Sequence, residues 1–254
     1  MNRNIITIFN QKGGVGKTTT AINVAAYLAK DDKTVLLIDF DPQGNATSGM
    51  GLDKEQSAFT SYEALLHPDI LTNAIHETNL DNLYILPANS SLAAAELELA
   101  SLTHRETRLR SLLAQTQYDY IIIDCPPALG LLSINALAAA TDVLIPVQAE
   151  YYALEGLGQL LSIVQRIRET VNPNLELLGV VLTMYDKRTA LADQVQRELE
   201  KHLGDKLLET VIPRNVRLAE APSFGRTIIE HDKWSKGARA YKQLTKEIVS
   251  RANH

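Results

Sequence analysis

Short, continuous apolar runs recur along the chain and alternate with segments of helical periodicity. The runs are rich in β-branched residues and lie at 5–9, 34–39, 83–86, 120–124, 143–147, 177–184 and 209–213. Between them the pattern predicts helices at 18–30, 92–100, 105–115, 133–140, 155–171, 190–203 and 236–251. Continuous apolar runs are typical of strands buried on both faces of a parallel sheet. We therefore predict an α/β fold with one doubly wound, mostly parallel sheet flanked by helices and joined by right-handed crossovers.

Length and composition fit one soluble globular domain. The chain has 254 residues, of which 45% are hydrophobic, and no linker, internal repeat or low-complexity tract divides it. We expect a single domain over residues 1–254. The one cysteine, Cys125, excludes an internal disulfide framework and fits a reducing compartment. The first apolar run is too short for a signal peptide, and no stretch approaches the roughly 18 apolar residues of a spanning helix, so we expect a cytoplasmic protein.

The formal net charge of -5 hides an asymmetry along the chain. Residues 1–186 carry 11 Lys and Arg against 21 Asp and Glu, a net -10, whereas residues 187–254 carry 14 against 9, a net +5. A polyanionic partner would therefore meet the C-terminal quarter. A basic surface that is simply solvated explains the same counts.

The first predicted strand runs into a glycine-rich segment, NQKGGVGKTTT at 10–20, and then into a helix. A phosphate-binding loop requires this order of elements, because the glycines let backbone N–H groups converge on an anion at the positive end of the helix. We expect Lys17 to reach the β- and γ-phosphates and the Thr18 hydroxyl to bind Mg²⁺. Thr19 is a further candidate hydrogen-bond donor. The strict pattern G-x-x-x-x-G-K-[ST] fails at its first position, where Gln11 replaces glycine.

Two aspartates follow predicted strands at the edge where an open parallel sheet binds its ligands. Asp41 lies in DFDPQGN after one strand, and Asp124 ends YIIID before two prolines. A carboxylate in this position can hold Mg²⁺ or orient an attacking water, and Asp124 is the expected metal-side residue. A helix cap or a turn is the alternative role for both. Asp39 is ambiguous, since it can instead anchor the loop.

The segment KGGVGKTT, with Lys12 ahead of the glycines, resembles the deviant Walker A box of the ParA/MinD class of ATPases, where the extra residue is called the signature lysine. The resemblance continues through LLIDFDPQGNATSG at 36–49, YDYIIIDCPPALGLLSINAL at 118–137, PVQAEYYALEGLGQL at 146–160 and VIPRNVRLAEAPSFGRTI at 211–228. These segments span nearly the whole chain and are together similar to the chromosomal ParA subgroup, often called Soj.

The resemblance implies an ATP hydrolase, with ATP and Mg²⁺ as cofactors, whose ATP-bound form is a homodimer. In the family the signature lysine, here Lys12, reaches the phosphates of the other subunit, where an added cation stabilises the transition state only in the assembled dimer. Asp41 would be tied to hydrolysis, the Gly14 position would tolerate little bulk at the subunit junction, and adenine would contact Pro213 and Asn215. The implied nucleotide-binding set is Lys12, Gly13, Gly14, Val15, Gly16, Lys17, Thr18, Thr19, Pro213 and Asn215, and the implied catalytic set is Lys12, Lys17, Asp41 and Asp124.

The resemblance also implies non-specific binding of double-stranded DNA through arginines on the dimer surface. Arg188 in MYDKRTALA and Arg217 in RNVRLAEAP match the family pattern, with Lys187 as a weaker neighbour. Both arginines fall in the segment of net positive charge, which favours a phosphate-contacting surface over a solvated one. A ParB-like partner would stimulate hydrolysis and release the DNA, during segregation of a chromosome or plasmid, so the protein would associate with the nucleoid.

Other functions use the same ATPase core. A MinD-like membrane-positioning ATPase ends in a basic amphipathic helix, but the stripe of Tyr241, Leu244, Ile248 and Val249 is only modestly apolar, so we expect it to pack on the domain and expect no membrane partner. A plasmid-type relative with an N-terminal helix-turn-helix domain would need more chain before the phosphate loop than this sequence has.

A metabolic or redox enzyme on the same scaffold is the remaining alternative. An iron–sulfur cluster shared by a dimer of the nitrogenase iron-protein type needs two cysteines per subunit, and Cys125 is alone. An amide- or carboxylate-activating ligase would need its own substrate pocket, for which the sequence shows no evident motif.

Overall fold

The computed structural model describes residues 4–150 and 153–252. Tyr151 and Tyr152, in one of the segments that carry the family resemblance, lie outside the described residues. Seven strands form one sheet in the described ranges: β1 Asn4–Ile8, β2 Val35–Asp39, β3 His76–Glu77, β4 Leu83–Leu86, β5 Tyr120–Asp124, β6 Asp142–Gln148 and β7 Glu176–Thr183. Their order is β3-β4-β2-β5-β1-β6-β7, and every neighbouring pair is parallel except β3–β4. The predicted doubly wound, mostly parallel sheet is confirmed.

The helices connect these strands and cover both faces of the sheet. They are α1 Lys17–Lys30, α2 Asn45–Gly49, α3 Ser61–Leu66, α4 Leu71–Ala74, α5 Leu92–Ala100, α6 Arg108–Leu113, α7 Leu131–Ala139, α8 Ala153–Thr170, α9 Ala190–Leu203, α10 Val216–Glu220, α11 Ile228–Asp232 and α12 Lys236–Ala252. Short 3₁₀ turns lie at Pro68–Ile70, Gly204–Lys206 and Ala221–Phe224.

The sheet is buried on both sides because successive strand residues face opposite layers. In β5, Ile121 and Ile123 belong to the hydrophobic cluster that includes residues of α3 to α9, whereas Tyr120 and Ile122 belong to the cluster that includes residues of α1, α2 and α10 to α12. All five residues of β2 and all five of β5 are buried. Apolar side chains at consecutive positions are therefore required, which explains the continuous runs in the sequence.

The predicted strand at 209–213 is wrong. Only Pro213 forms a bridge there, an isolated one to Tyr185 after the end of β7. The backbone N–H groups of Glu209 and Thr210 donate instead to the Glu247 carboxylate on α12, at 2.9 and 3.0 Å. Because α12 takes these donors, the segment cannot form a regular ladder with β7.

Further elements differ from the predictions. The helix expected at 105–115 extends only over α6, Arg108–Leu113, and neither the edge strand β3 nor the five short helices α2, α3, α4, α10 and α11 were predicted. With only two residues, β3 is too short to show an apolar period.

The C-terminal segment is held against α1 by polar contacts as well as by apolar packing. The hydroxyls of Thr20 and Tyr241 lie 3.1 Å apart, and the Ile228 N–H donates to Asn23 Oδ1 at 2.9 Å. The predicted apolar stripe of α12 packs here, with Tyr241, Leu244 and Ile248 buried in the core and Val249 half-buried against it. Over the two described ranges, the structure contains no helix long and apolar enough to cross a membrane.

Candidate functional site

The carboxyl ends of β1, β5 and β2 lie side by side at one edge of the sheet. Ile8 of β1 is in register with Asp124 of β5, and Asp124 is in register with Asp39 of β2. The glycine-rich segment leaves β1 at this edge and ends where α1 begins at Lys17. The structure therefore has the strand–loop–helix order predicted for a phosphate-binding loop, with two carboxylates on the adjacent strands.

Backbone conformation explains the glycines of this loop. Gly14 and Gly16 have φ values of 75° and 88°, in the left-handed region, and Gly16 is the last residue before α1. Gly13 and Gly14 are exposed, and no atom lies within 4 Å of the position where a Cβ would stand. Val15 between them and α1 is buried, and its carbonyl accepts a hydrogen bond from Thr183 Oγ1 at 2.8 Å. The loop is thus tied to the end of β7 and open on its outer side.

The two lysines of the loop face different environments. Lys17 is buried, and its Nζ donates to the Lys12 carbonyl oxygen at 3.0 Å. Burial lowers the pKa of Lys17, and the negative charges of Asp124 and Asp41 oppose that shift. The Lys12 side chain is 55% exposed and forms an ion pair with Glu150 in the loop after β6. Lys17 therefore faces the carboxylates of the site, whereas Lys12 points to the outer surface of the molecule.

Asp39 anchors the segment that follows β2. Its Oδ2 accepts from both the N–H and the hydroxyl of Thr47 at 2.7 Å, and its Oδ1 accepts from the Asp41 N–H at 3.2 Å. Burial raises the pKa of Asp39 to about 6, despite these hydrogen bonds. These contacts show the anchoring role considered from the sequence, because each of them holds the segment that carries Asp41.

Asp41 itself is buried and belongs to a turn. Its Oδ1 accepts from the Gln43 N–H at 2.9 Å, so part of the turn role considered from the sequence is present. Its charge nevertheless acts on buried Lys17. Asp41 is thus held on a short, hydrogen-bonded turn beside the loop.

Asp124 is a buried carboxylate whose hydrogen-bonding capacity is not satisfied by the described residues. Both of its oxygens are buried without a hydrogen-bond partner of good geometry among the described residues. Burial raises its pKa well above the usual range, and the nearby negative charge of Asp39 adds to the effect, while the Thr18 hydroxyl and Lys17 oppose it. An unpaired buried carboxylate beside a hydroxyl oxygen is a donor set that suits a hard divalent cation such as Mg²⁺.

The remaining nucleotide-site candidates lie in two places. Thr18 and Thr19 are in the first turn of α1, where the Thr19 carbonyl accepts from Asn23 Nδ2 at 2.8 Å. Pro213 lies beside Tyr185, just past the end of β7, whose Thr183 contacts the glycine-rich loop. Asn215 caps α10 by accepting the Arg217 N–H at 2.9 Å, which fixes its side chain at the same edge.

A basic groove of about 870 Å³ lies between the end of β7, the start of α10 and the outer side of α12. Five of its lining residues are cationic and two are anionic: Lys187, Arg188, Arg214, Lys236 and Arg239 against Asp186 and Glu209. Of these charged residues, only Lys187 and Arg188 were predicted from the sequence. The others come from separate elements, and only the positive charge of the whole C-terminal segment pointed to them.

The two predicted DNA-contacting arginines are ion-paired in the isolated chain. Arg188, 87% exposed, donates through Nε and Nη2 to the Asp186 carboxylate at 2.9 and 2.7 Å, and this fork holds the pKa of Asp186 well below its usual range. Arg217, 57% exposed, follows Val216 of the groove lining in sequence and pairs with Glu220 at 3.0 Å and Asp232 at 3.6 Å. Both guanidinium groups are on the surface, where competition from phosphate is possible because exposed pairs are weak.

A mostly parallel sheet whose first strand leads through a left-handed glycine loop into a helix is the fold of the P-loop NTPases. The model of a protein family described as "AAA domain" matches residues 3–177. The chain is 51% identical over 249 residues to "Chromosome partitioning protein ParA" of Myxococcus xanthus, covering 97% of this chain and 88% of that relative. It is 52% identical over 248 residues to "Sporulation initiation inhibitor protein Soj" of Bacillus subtilis, covering 97% and 98%. The chain belongs to the ParA/Soj family of chromosome-partitioning ATPases.

A solved structure of a different enzyme shares the fold. Cobyrinic acid a,c-diamide synthase from Mycobacterium smegmatis, with a bound ATP analogue and magnesium, superposes with a TM-score of 0.87 at 35% identity, covering 99% of this chain and 96% of that one. The scaffold therefore occurs with more than one activity, and the function must be argued from the site.

Proposed function

We propose that this chain, acting as one domain over residues 1–254, is an ATP-dependent partitioning ATPase that works in the cytoplasm on the nucleoid. ATP closes a homodimer, the dimer binds double-stranded DNA without sequence preference, and hydrolysis stimulated by a ParB-like partner releases it. The observation that carries the proposal is the opposite placement of the two lysines in one loop. Lys17 is buried beside the carboxylates, whereas the Lys12 side chain is exposed and pairs with Glu150 outside the loop, so it is accessible to a second subunit.

In this proposal the nucleotide site works as follows. The N–H groups of the left-handed loop and the start of α1 bind the phosphates, and Lys17 contacts the β- and γ-phosphates. Thr18 and Asp124 hold Mg²⁺, which when bound neutralises charge on the phosphate oxygens. Asp41 orients the attacking water, and Lys12 of the partner adds a positive charge where the transition state develops negative charge. Pro213 and Asn215 bound the adenine.

DNA binding is proposed for the basic groove together with Arg217. Five cations around one groove suit a polyanion, and the two arginines would exchange their carboxylate partners for phosphates. The rest of the chain carries a net negative charge, so this surface is where a polyanion would be attracted. ParA and Soj relatives at about half identity favour partitioning over the amide-forming chemistry of the diamide synthase.

One experiment tests the proposal: retardation of several unrelated DNA duplexes with ATP, ADP or no nucleotide, with dimerisation followed by light scattering. We expect ATP-dependent binding to all duplexes and a dimer under the same conditions. Lys17→Ala is the control, because loss of the phosphate contact should remove both signals together. Absence of DNA binding with ATP would contradict the proposal and favour a metabolic enzyme on this scaffold.

A further inference from the structure

The single tryptophan of the chain is on the surface. Trp234 is 78% exposed, although an indole ring is normally buried for most of its area. It lies between α11 and α12, in the sequence DKWSKG, where Lys233 precedes it and Lys236 follows two residues later. Nothing in the proposed nucleotide site uses it.

The backbone around Trp234 is fixed. Its N–H donates to Asp232 Oδ1 at 3.1 Å, and the next residue, Ser235, accepts the Ala238 N–H at 3.0 Å and so caps α12. The indole therefore extends from a rigid turn between two helices. A side chain presented this way loses little conformational freedom when it binds.

Cationic residues lie near Trp234. We call the basic groove together with Arg217, Lys233 and Trp234 the basic surface. Lys233 Nζ lies 5.3 Å from the ring centroid, and Arg217 approaches the same Asp232 that holds the Trp234 backbone, at 3.6 Å. Lys236, two residues on, lines the basic groove together with Val216, which is 70% exposed. The indole thus stands beside the exposed cation of Lys233, two residues before a cation that lines the groove.

Charge complementarity decides what this aromatic residue binds. A membrane or an apolar protein surface would need a wide apolar face. The exposed large apolar side chains of the described C-terminal segment from α10 to α12 are Val216, Phe224 and Trp234, and the Phe224 ring stacks on that of His231 at 5.2 Å. Cationic residues are more numerous in the same segment. Aromatic side chains among cations are typical of nucleic-acid sites, where the cations hold phosphates and the ring contacts bases or sugars.

We propose that Trp234 is a DNA-contacting residue, whose indole packs against the sugars in a groove of duplex DNA while Arg217 and Lys236 hold the neighbouring phosphates. This inference rests on the proposed DNA-binding function and adds an apolar contact to it. Because an apolar contact involves no counterion release, Trp234 should raise affinity without changing the salt dependence.

Intrinsic fluorescence tests the inference directly, because all tryptophan emission of the full-length protein comes from residue 234. With ATP and duplex DNA we expect quenching or a spectral shift that ATP alone does not produce. Trp234→Ala should weaken DNA binding about tenfold at unchanged slope of log affinity against log salt. Trp234→Phe should restore part of the affinity, whereas Arg217→Ala should lower the slope by about one.

The matched control is Leu97→Ala on α5, which removes an equally exposed apolar side chain from another surface and should leave DNA affinity unchanged. ATP-dependent dimerisation of Trp234→Ala, measured by light scattering, should equal that of the unaltered chain, which shows that the variant is folded. If DNA binds without changing the tryptophan emission of the unaltered protein, and Trp234→Ala binds DNA with unchanged affinity, the inference is overturned and the partitioning function stands. If no DNA binds, both the inference about Trp234 and the proposed DNA-binding function are contradicted. An emission change with anionic phospholipid vesicles but not with DNA would assign the surface to a membrane instead.

Discussion

The phosphate-loop edge and the basic surface place their charged groups in opposite ways. At the loop edge, Lys17, Asp39 and Asp124 are buried and their positions follow from strand ends and left-handed glycines. On the basic surface, Arg188 and Arg217 are exposed and held only by ion pairs with neighbouring carboxylates. Buried charges interact strongly and with fixed geometry, whereas exposed charges are screened and interchangeable.

The difference in burial corresponds to a difference in the proposed roles: the loop edge would act on the nucleotide, whereas the basic surface would attract DNA. A group that must act at one atom needs the fixed placement that burial provides. A surface that binds any DNA sequence needs only a density of cations and tolerates rearrangement. Single changes at the loop edge should therefore have large effects on one step, and single changes on the basic surface should have small effects that depend on salt.

Asp41→Ala should give the largest effect and is the sharpest test of the loop edge. ATP turnover should fall by about 10²-fold or more, because a positioned carboxylate is lost, while ATP affinity stays within a few-fold. ATP turnover is measured by phosphate release, and nucleotide affinity is measured by titration. The control is Asp81→Ala, an exposed aspartate just before β4, and loss of ATP binding in Asp41→Ala would show that our role for Asp41 is wrong.

Lys12→Ala should act next most strongly, on dimerisation. Nucleotide binding by the monomer should be nearly intact, but the ATP dimer should weaken on the order of 30-fold, since a charged contact across the interface is removed. Light scattering over a concentration series with ATP measures this. Lys33→Ala, an exposed lysine after the far end of α1, is the control, and a normal Lys12→Ala dimer would contradict the cross-subunit role.

Arg188→Ala should have a modest effect of a different kind. We expect a few-fold loss of DNA affinity at moderate salt and a salt slope lower by about one, because one phosphate contact is lost. Binding titrations at several salt concentrations separate slope from affinity. Lys30→Ala, which removes an exposed cation at the end of α1, should change neither value, and an unchanged slope in Arg188→Ala would remove that residue from the DNA surface.

Glu150→Gln should have the smallest effect, and in the opposite direction. Loss of its ion pair frees Lys12, so the ATP dimer should tighten by up to about fivefold, the range of an exposed pair. The comparison is with Glu155→Gln, which lines the same cavity of about 410 Å³ beside the loop without an ion pair to Lys12 in the described structure. A weaker dimer in Glu150→Gln would mean that Glu150 contributes to the interface itself.

The sequence predicted the parts of the molecule that local chemistry determines. Buried parallel strands need continuous apolar runs, and a left-handed loop needs glycine, so the sheet and the loop with Lys17 could be recognised before the structure was known. The segment at 209–213 has the same composition as a strand, yet Glu247 on α12 binds its N–H groups. That contact joins residues far apart in sequence and has no local signal.

The same limit applies to the candidate sites. Asp39 looked ambiguous because its partner, Thr47, lies eight residues away. The ion pair of Lys12 with Glu150 joins residues 138 positions apart in the sequence. Arg214, Lys236 and Arg239 meet in one groove only because β7, α10 and α12 pack together. The charge count along the sequence predicted that this surface is positively charged. Which residues form it depends on how the elements pack.

The hydrogen bonds between α1 and the C-terminal segment limit how this protein can be redesigned. Thr20, one turn from Lys17, bonds Tyr241 of α12, and Asn23 bonds the start of α11. The elements that carry Trp234 and half of the basic groove are therefore built onto the helix that begins at the phosphate loop. The outward-facing charged residues can be substituted singly. An exchange of the whole C-terminal segment between relatives would also require the residues of α1 that contact it to be exchanged.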